Sequence, residues 1–336
     1  MSPFLQPLRR CWLLTLLLIC TACGSSPASN TVPTAASLQA AATAAPTAAP
    51  VQARYRIAVV TKTLSNEFFL IMKQGYEAAG ERYGVEVTIV PAASEKDTQG
   101  QLDGLNKLVA AGVDALIVTP LNSDNLTPGL AEATRKGIPI INVDELIPDD
   151  VAKLGGFTIS SKIASDNTDA GVQAAKHMVE KLPVGSAVAV VEGKKGVTSG
   201  TQRRDGFVAA AEAGGLKIVA STPADWDRAK AREVVAALLE AHPELKAIYF
   251  ANDTMALGGI DAVEAAGKSG QLLLIGTDAI PEALQAIKQG QLTGTVAQFP
   301  YELGMLGVET AVKVLDKRPV TSIVPSPVKL VLKDSL

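Results

Sequence analysis

The 336-residue chain predicts an α/β fold of two doubly wound parallel-sheet lobes, and three observations carry that prediction. From Arg54 onward, short β-branched runs alternate with stretches of helical spacing. The alternation runs through one series and then through a second. Some runs, such as Ala115-Leu116-Ile117-Val118, are apolar without a break, as expected of a strand covered on both faces. Repeated βα units of this kind build parallel sheets flanked by helices, and the length suffices for two lobes of ordinary size.

Taken in order, Tyr55, Ile57 and Val59 start a strand, and Glu67 to Tyr83 has helical spacing. Val85, Val87 and Ile89 form a strand, Glu95 to Ala111 a helix, and Ala115 to Val118 a buried strand. Asp124 to Lys136 is a helix and Ile138 to Val143 a strand. The second series has helices at 166–181, 198–213, 225–241, 252–266 and 281–289. They alternate with strands at 187–191, 216–220, 247–250, 272–275 and 293–297.

The residues before Arg54 read differently. Arg9 and Arg10 precede an apolar stretch, Cys11 to Cys20, of ten residues, too short for a bilayer span of roughly 20. It reads as a secretory signal. Cys20-Thr21-Ala22-Cys23-Gly24 resembles a bacterial lipobox, which makes Cys23 the lipidation site, although Cys20 stands where leucine is usual; the alternative is plain cleavage after Ala22. Ser25 to Ala53 carries no charge and is nearly all Ser, Ala, Thr and Pro, the composition of a disordered tether. Such a coil of about 30 residues spans roughly 30 Å r.m.s.. The three cysteines, Cys11, Cys20 and Cys23, all precede the folded part, so no disulfide framework or cysteine metal site is expected in it. Thirty-one Lys and Arg against 34 Asp and Glu give a net charge of −3, with no basic face to favour nucleic acid.

In open parallel sheets, ligands sit beyond the carboxyl ends of the strands. Nearly every strand end here carries a planar polar group, a cation or a ring. Lys62, Asn66, Phe68 and Phe69 follow the first strand, and Asp144 and Glu145 follow Val143. Arg203 lies early in the helix after Val191. Asp225 and Trp226 follow Ala220, Asn252 follows Phe250, Asp278 follows Ile275, and Gln298 follows the last strand. Asn252 and Asp166 also suit helix N-caps. Of the two phenylalanines, one is expected to pack inward and the other to face the cleft. Asp, Asn, Gln and Arg forks with rings suit a polyol: vicinal hydroxyls pair with the forks, and C–H faces cover the rings. Catalysis has little support. His177 lies inside a helix and His242 ends one, there is no G-x-S-x-G elbow or P-loop, and no cofactor is called for.

The motifs KTLSNEFF, SDNTDAG, SGTQRRDGF, PADWDRAKA, YFANDTMALG, GTDAIPEA and GTVAQFP, spread from Arg54 to Leu336, are together highly specific. The chain resembles the bacterial substrate-binding proteins of ABC sugar importers, in the ribose-binding-like group with the periplasmic-binding type 1 fold. Lys62, the Asp144-Glu145 pair, PADWDR, ANDTMA and GTDAIPEA match its allose-binding branch. The resemblance implies sugar contacts at Lys62, Asn66, Phe68, Phe69, Asp144, Arg203, Trp226, Asn252, Asp278 and Gln298. Glu67 stands where relatives have proline and Phe69 where the allose branch has tryptophan, so allose, ribose and psicose stay open. Glu145 replaces an arginine of the ribose binders and ranks a hexose above ribose.

The resemblance also implies a three-crossing hinge, with discontinuous lobes, and delivery by closure to importer membrane subunits. The expected organisation is a signal peptide over 1–22 and a lipid-anchored tether over 23–53. An N-terminal lobe of 54–163 plus 299–324 and a C-terminal lobe of 164–298 plus 325–336 follow. The protein is expected to be an exported monomer, anchored on the outer face of the cell membrane and not an enzyme. A sensor that presents its closed form to a chemoreceptor or kinase is the alternative. A DNA-binding regulator is excluded, because a signal and tether occupy the place of its headpiece. Alanine at Asp144 or Arg203 is expected to abolish sugar binding and leave the fold intact.

Overall fold

The computed structural model describes residues 53–336. The signal segment, the lipidation site at Cys23 and nearly all of the tether lie outside the described residues. The first strand, β1 (Arg56–Thr61), is buried over its last five residues and is followed by α1 (Glu67–Tyr83). The remaining first-series elements are β2 (Glu86–Pro91), α2 (Thr98–Ala111), β3 (Ala115–Val118), α3 (Thr127–Arg135), β4 (Ile140–Val143), α4 (Asp149–Gly155) and β5 (Ser161–Ser165). The second series is α5 (Asn167–Lys181), β6 (Ala187–Glu192), α6 (Thr198–Ala213), β7 (Lys217–Pro223), α7 (Arg228–Ala241), β8 (Ala247–Phe250), α8 (Asp253–Ala265), β9 (Leu273–Asp278), α9 (Pro281–Gln289) and β10 (Gly294–Ala297). The chain ends with α10 (Pro300–Leu315), β11 (Ile323–Ser326), β12 (Lys329–Leu332) and a short 3-10 turn.

Two six-stranded sheets result, with orders β11-β5-β4-β3-β1-β2 and β12-β10-β9-β8-β6-β7. All pairings are parallel except β10 with β12. The chain passes between the sheets three times, from β5 to α5, from β10 to α10 and from β11 to β12. Pairing of Pro325 with Ala164 and of Ser326 with Ser165 keeps the first sheet going two residues beyond the expected boundaries at 163 and 324.

Side-chain alternation along each strand divides it between two helical layers. Ile57 and Val59 pack with Met72, Tyr76 and Leu303 under α1 and α10, whereas Ala58 and Val60 pack with Leu105 and Leu130 under α2 and α3. In the second sheet, Val188 and Val190 face Ala174 and Phe207, and Ala189 and Val191 face Val235 and Met255.

Three helices start later than their spacing suggests, at Thr98, Thr127 and Arg228 rather than Glu95, Asp124 and Asp225. Asp97 and Asp227 cap α2 and α7, accepting from Gly100 N at 3.0 Å and Lys230 N at 2.8 Å. Asp225 and Trp226 hold φ of 54° and 66°, which no right-handed helix admits. Of the residues gained by the loops, Glu95 and Trp226 reach the cleft.

Candidate ligand-binding site

The carboxyl ends of the strands of both sheets meet at one cavity. Lys62, Asn66, Phe68, Phe69, Asp144, Arg203, Trp226, Asn252, Asp278 and Gln298 all line it, as do Glu95 and Ser199. Sequence reasoning does not single out the last two: Ser199 sits within SGTQRRDGF, and Glu95 follows the second strand, where helical spacing takes it into α2. Lys62, Asp144, Arg203, Asn252, Asp278 and Gln298 are each at most 6% exposed, so the cleft is closed over them.

The backbone turns sharply to present these groups. Six described non-glycine residues have left-handed φ, and five of them, Asp144, Asp225, Trp226, Asp278 and Ala279, line the cavity or adjoin a residue that does. Such conformations cost of order 1–3 kcal/mol each and persist where the surroundings impose them. Glycine makes room elsewhere. A Cβ on Gly193 would stand 2.1 Å from the Trp226 ring, and one on Gly171 would stand 2.1 Å from the Arg203 carbonyl, where α5 meets α6.

That crossing sets Arg203 beside Asn167. Its Nε donates to Asn167 Oδ1 at 2.8 Å and its Nη1 to the Ala251 carbonyl at 2.7 Å, while Nη1 lies 3.6 Å from Asp278 Oδ1. The guanidinium sits 5.9 Å from the Trp226 ring centroid. Gln298 Nε2 donates to Asp278 Oδ1 at 2.6 Å. The side chain of Arg203 is thus structural as well as site-facing, and its removal leaves two buried acceptors unpaired and the Asp278 carboxylate without its counter-charge; the expectation that alanine here spares the fold is revised accordingly.

Asn66 and Asn252 do two jobs. Oδ1 of Asn66 accepts from Phe68 N at 3.1 Å and caps α1; Oδ1 of Asn252 accepts from Met255 N at 2.9 Å and caps α8. Each keeps its NH2 to offer. Phe68 and Phe69 do not divide into an inward ring and an outward ring. They meet edge to face at 5.2 Å, both belong to the core, and both line the cavity.

Glu145 is absent from the cavity wall. It is fully buried, with Oε1 accepting from Thr198 N at 2.6 Å, Oε2 from Ser199 Oγ at 2.7 Å, and Lys62 Nζ 3.7 Å from Oε2. A carboxylate carried by the first sheet thereby holds the start of α6 in the second lobe. Lys194 Nζ adds a second tie across the cleft, donating to the Glu95 carbonyl at 2.7 Å.

Burial pushes the Asp144 carboxyl up to about 6, against the opposing charge of Lys62 and helped by Glu145. Asp278 is raised as well, first by burial, with Arg203 opposing and Asp253 reinforcing. Asp253, also raised by burial, accepts from Thr295 Oγ1 at 2.7 Å and Ile280 N at 3.1 Å behind the wall. Among the described residues, three buried side-chain atoms on the cavity lining lack any partner: Glu95 Oε2, Trp226 Nε1 and Gln298 Oε1. Carboxylates without protein donors, amide and indole N–H groups without acceptors and two rings make a surface suited to a small molecule rich in hydroxyls. No cluster of three metal-ligating side chains occurs among the described residues.

A family model described as a periplasmic binding protein domain matches residues 57–319. The D-allose-binding periplasmic protein of Escherichia coli is 42% identical over 80% of this chain and 90% of its own length. The ribose import binding protein of Bacillus subtilis is 34% identical over 88% of this chain and 93% of its own. The crystal structure of an ABC transporter periplasmic solute-binding protein from Actinobacillus succinogenes with bound D-allose superposes with a TM-score of 0.80 at 34% identity, covering 84% of this chain and 99% of that one. With the shared two-lobed topology, these similarities establish that the chain belongs to the periplasmic binding protein domain family, type 1.

Proposed function

We propose that the protein binds one monosaccharide, D-allose or a related hexose or pentose, in the interlobe cavity and delivers it to an ABC importer by hinge closure. The carrying observation is the closed cavity, whose buried carboxylates, amides and indole have polar atoms that no protein group satisfies. A sugar hydroxyl both donates and accepts, so a ring of them pairs with Asp144, Asp278 and Gln298 as acceptors and with Lys62, Arg203 and the two asparagine NH2 groups as donors. The names of the relatives support the choice of allose and ribose as first candidates. Closure completes the contacts, and the sugar's preference for the closed form shifts the balance between open and closed.

Calorimetric titration of the purified protein with D-allose, D-ribose and D-psicose tests the reading. Saturable one-to-one binding to at least one of them is expected; binding to none overturns it. At the N-terminus, the reading includes export and lipid anchoring at Cys23, with the Ser25–Ala53 segment as tether. Labelled palmitate should enter the wild-type protein in a lipoprotein-processing bacterium and be absent from Cys23→Ala.

A further inference from the structure

Behind the cavity wall, the first interlobe crossing carries a buried amide that stands apart from the ligand site. Asn167, within the SDNTDAG motif, is 4% exposed and is not among the residues that line the cavity. It opens α5 but does not cap it, because Asp166 takes that role, with Oδ1 accepting from Asp169 N at 2.9 Å. The Asn167 side chain is engaged elsewhere. Its Nδ2 donates to the carbonyl of Ser165, the last residue of β5, at 3.2 Å, and its Oδ1 accepts from the Nε of Arg203. The amide therefore fastens a guanidinium of the second lobe to the strand end where the chain leaves the first sheet. The frame around it is tight: a Cβ on Gly206 would stand 2.3 Å from the Thr168 carbonyl, so α5 and α6 meet backbone to backbone.

The bonding continues beyond the guanidinium. Asp278, beside Arg203 Nη1, accepts from Gln298, which directly follows β10 at the second crossing. Asn167, Arg203, Asp278 and Gln298, each at most 5% exposed, thus run in file from the first crossing through the site to the second. Arginine is a long side chain with many rotamers, and one that is fixed before the sugar arrives loses less freedom on binding. Resting on the monosaccharide reading, we propose that Asn167 is a positioning residue: from the first crossing it holds Arg203 in the orientation that grips the sugar, without touching the sugar itself. The end of β5 belongs to the hinge, whose residues take up the rotation of the lobes, so the hinge setting and the grip of Arg203 share one chain of bonds.

Calorimetric titration with D-allose, D-ribose and D-psicose, together with melting temperatures, tests this in the purified wild type, Asn167→Ala, Asn167→Ser, Asn167→Asp and Gln173→Ala. Alanine removes the acceptor, and the serine hydroxyl stops short of Nε; each should lose about tenfold or more in affinity for every sugar that the wild type binds. Aspartate presents the same acceptor oxygen to Nε and should stay within about threefold of wild type. Gln173 is the control. On the same helix it bonds the third crossing, donating to the Val328 carbonyl at 3.1 Å and accepting from Leu330 N at 2.8 Å, and among the described residues it makes no bond to a cavity residue. Gln173→Ala should lower the melting temperature and leave affinity within about twofold. Wild-type affinity in Asn167→Ala, an aspartate variant as weak as alanine, an equal loss in Gln173→Ala, or failure of both Asn167→Ala and Asn167→Ser to fold overturns the positioning role and leaves the proposed function standing. Failure of the wild type to bind any of the three sugars overturns both.

Discussion

Asp144→Asn separates the function of the site from the stability of the fold. Asp144 carries its carboxylate at a left-handed turn (φ 66°), and no side-chain hydrogen bond to it is made among the described residues. Asparagine tolerates that conformation as aspartate does, so the substitution removes charge and little else. The rise of the carboxyl from 3.8 to about 6 corresponds to about 3 kcal/mol against the ionised form at pH 7.5. The new amide is itself incompletely paired, which leaves a gain of about 2 kcal/mol, or roughly 4–8 °C in the ligand-free melting temperature. At pH 5, below the folded value of about 6 but above the unfolded 3.8, the gain should fall by more than half, and it should vanish only below the unfolded value. Sugar affinity moves the other way. Losing one charge-assisted hydrogen bond costs about 1.5–3 kcal/mol, a factor of about ten to more than a hundred in Kd, and Asp144→Ala should abolish detectable binding. Differential scanning fluorimetry at the two pH values and calorimetry with D-allose read these effects. A variant less stable than wild type at pH 7.5, or one that binds sugar as well, refutes the reasoning.

Arg203→Ala should behave in the opposite sense, losing binding and about 3–5 kcal/mol of stability through the stranded Asp278, Asn167 and Ala251 groups, as urea unfolding would show. Glu145→Gln should weaken every sugar by a similar factor, about tenfold or more, because it loosens the tie to Thr198 and Ser199 rather than a ligand contact; scattering of the ligand-free protein should show a more open form. Acid should weaken binding below about pH 6. Asp144 and Asp278 hold protons more tightly in the fold than in the unfolded chain, so their contribution to ligand-free stability is present at low pH and lost as pH rises through the folded values. Sugar hydroxyls favour the ionised carboxylates, and the increment in melting temperature from D-allose should therefore shrink between pH 7 and pH 5.

Strand ends were the informative address in the sequence. A β-branched run stops where the chain must turn, and the polar residue just past the stop is aimed along the strand axis. That rule located Lys62, Asp144, Asn252, Asp278 and Gln298 without coordinates. It missed Glu95 because the residues after Pro91 carry enough helical character to pass for the start of α2, and only the Asp97 cap shows that the helix begins later. The tie from Glu145 to Thr198 was not legible either, since it joins positions 53 apart through a closure that no periodicity encodes. After Ala297 local pattern yields no elements, and only the resemblance divides that stretch between the lobes: α10 returns to the first sheet and β12 to the second, a pairing set by tertiary contact.

The double duty of Asn66 and Asn252 constrains how this pocket can change its taste. Replacing either amide to suit a new sugar also removes the cap of α1 or α8, at about 1 kcal/mol each, so such variants are handicapped before selectivity is counted. Glu95, Phe69 and Trp226 anchor no helix start. A laboratory lineage selected on an unfamiliar sugar should accumulate its substitutions at those three positions and leave the asparagines untouched.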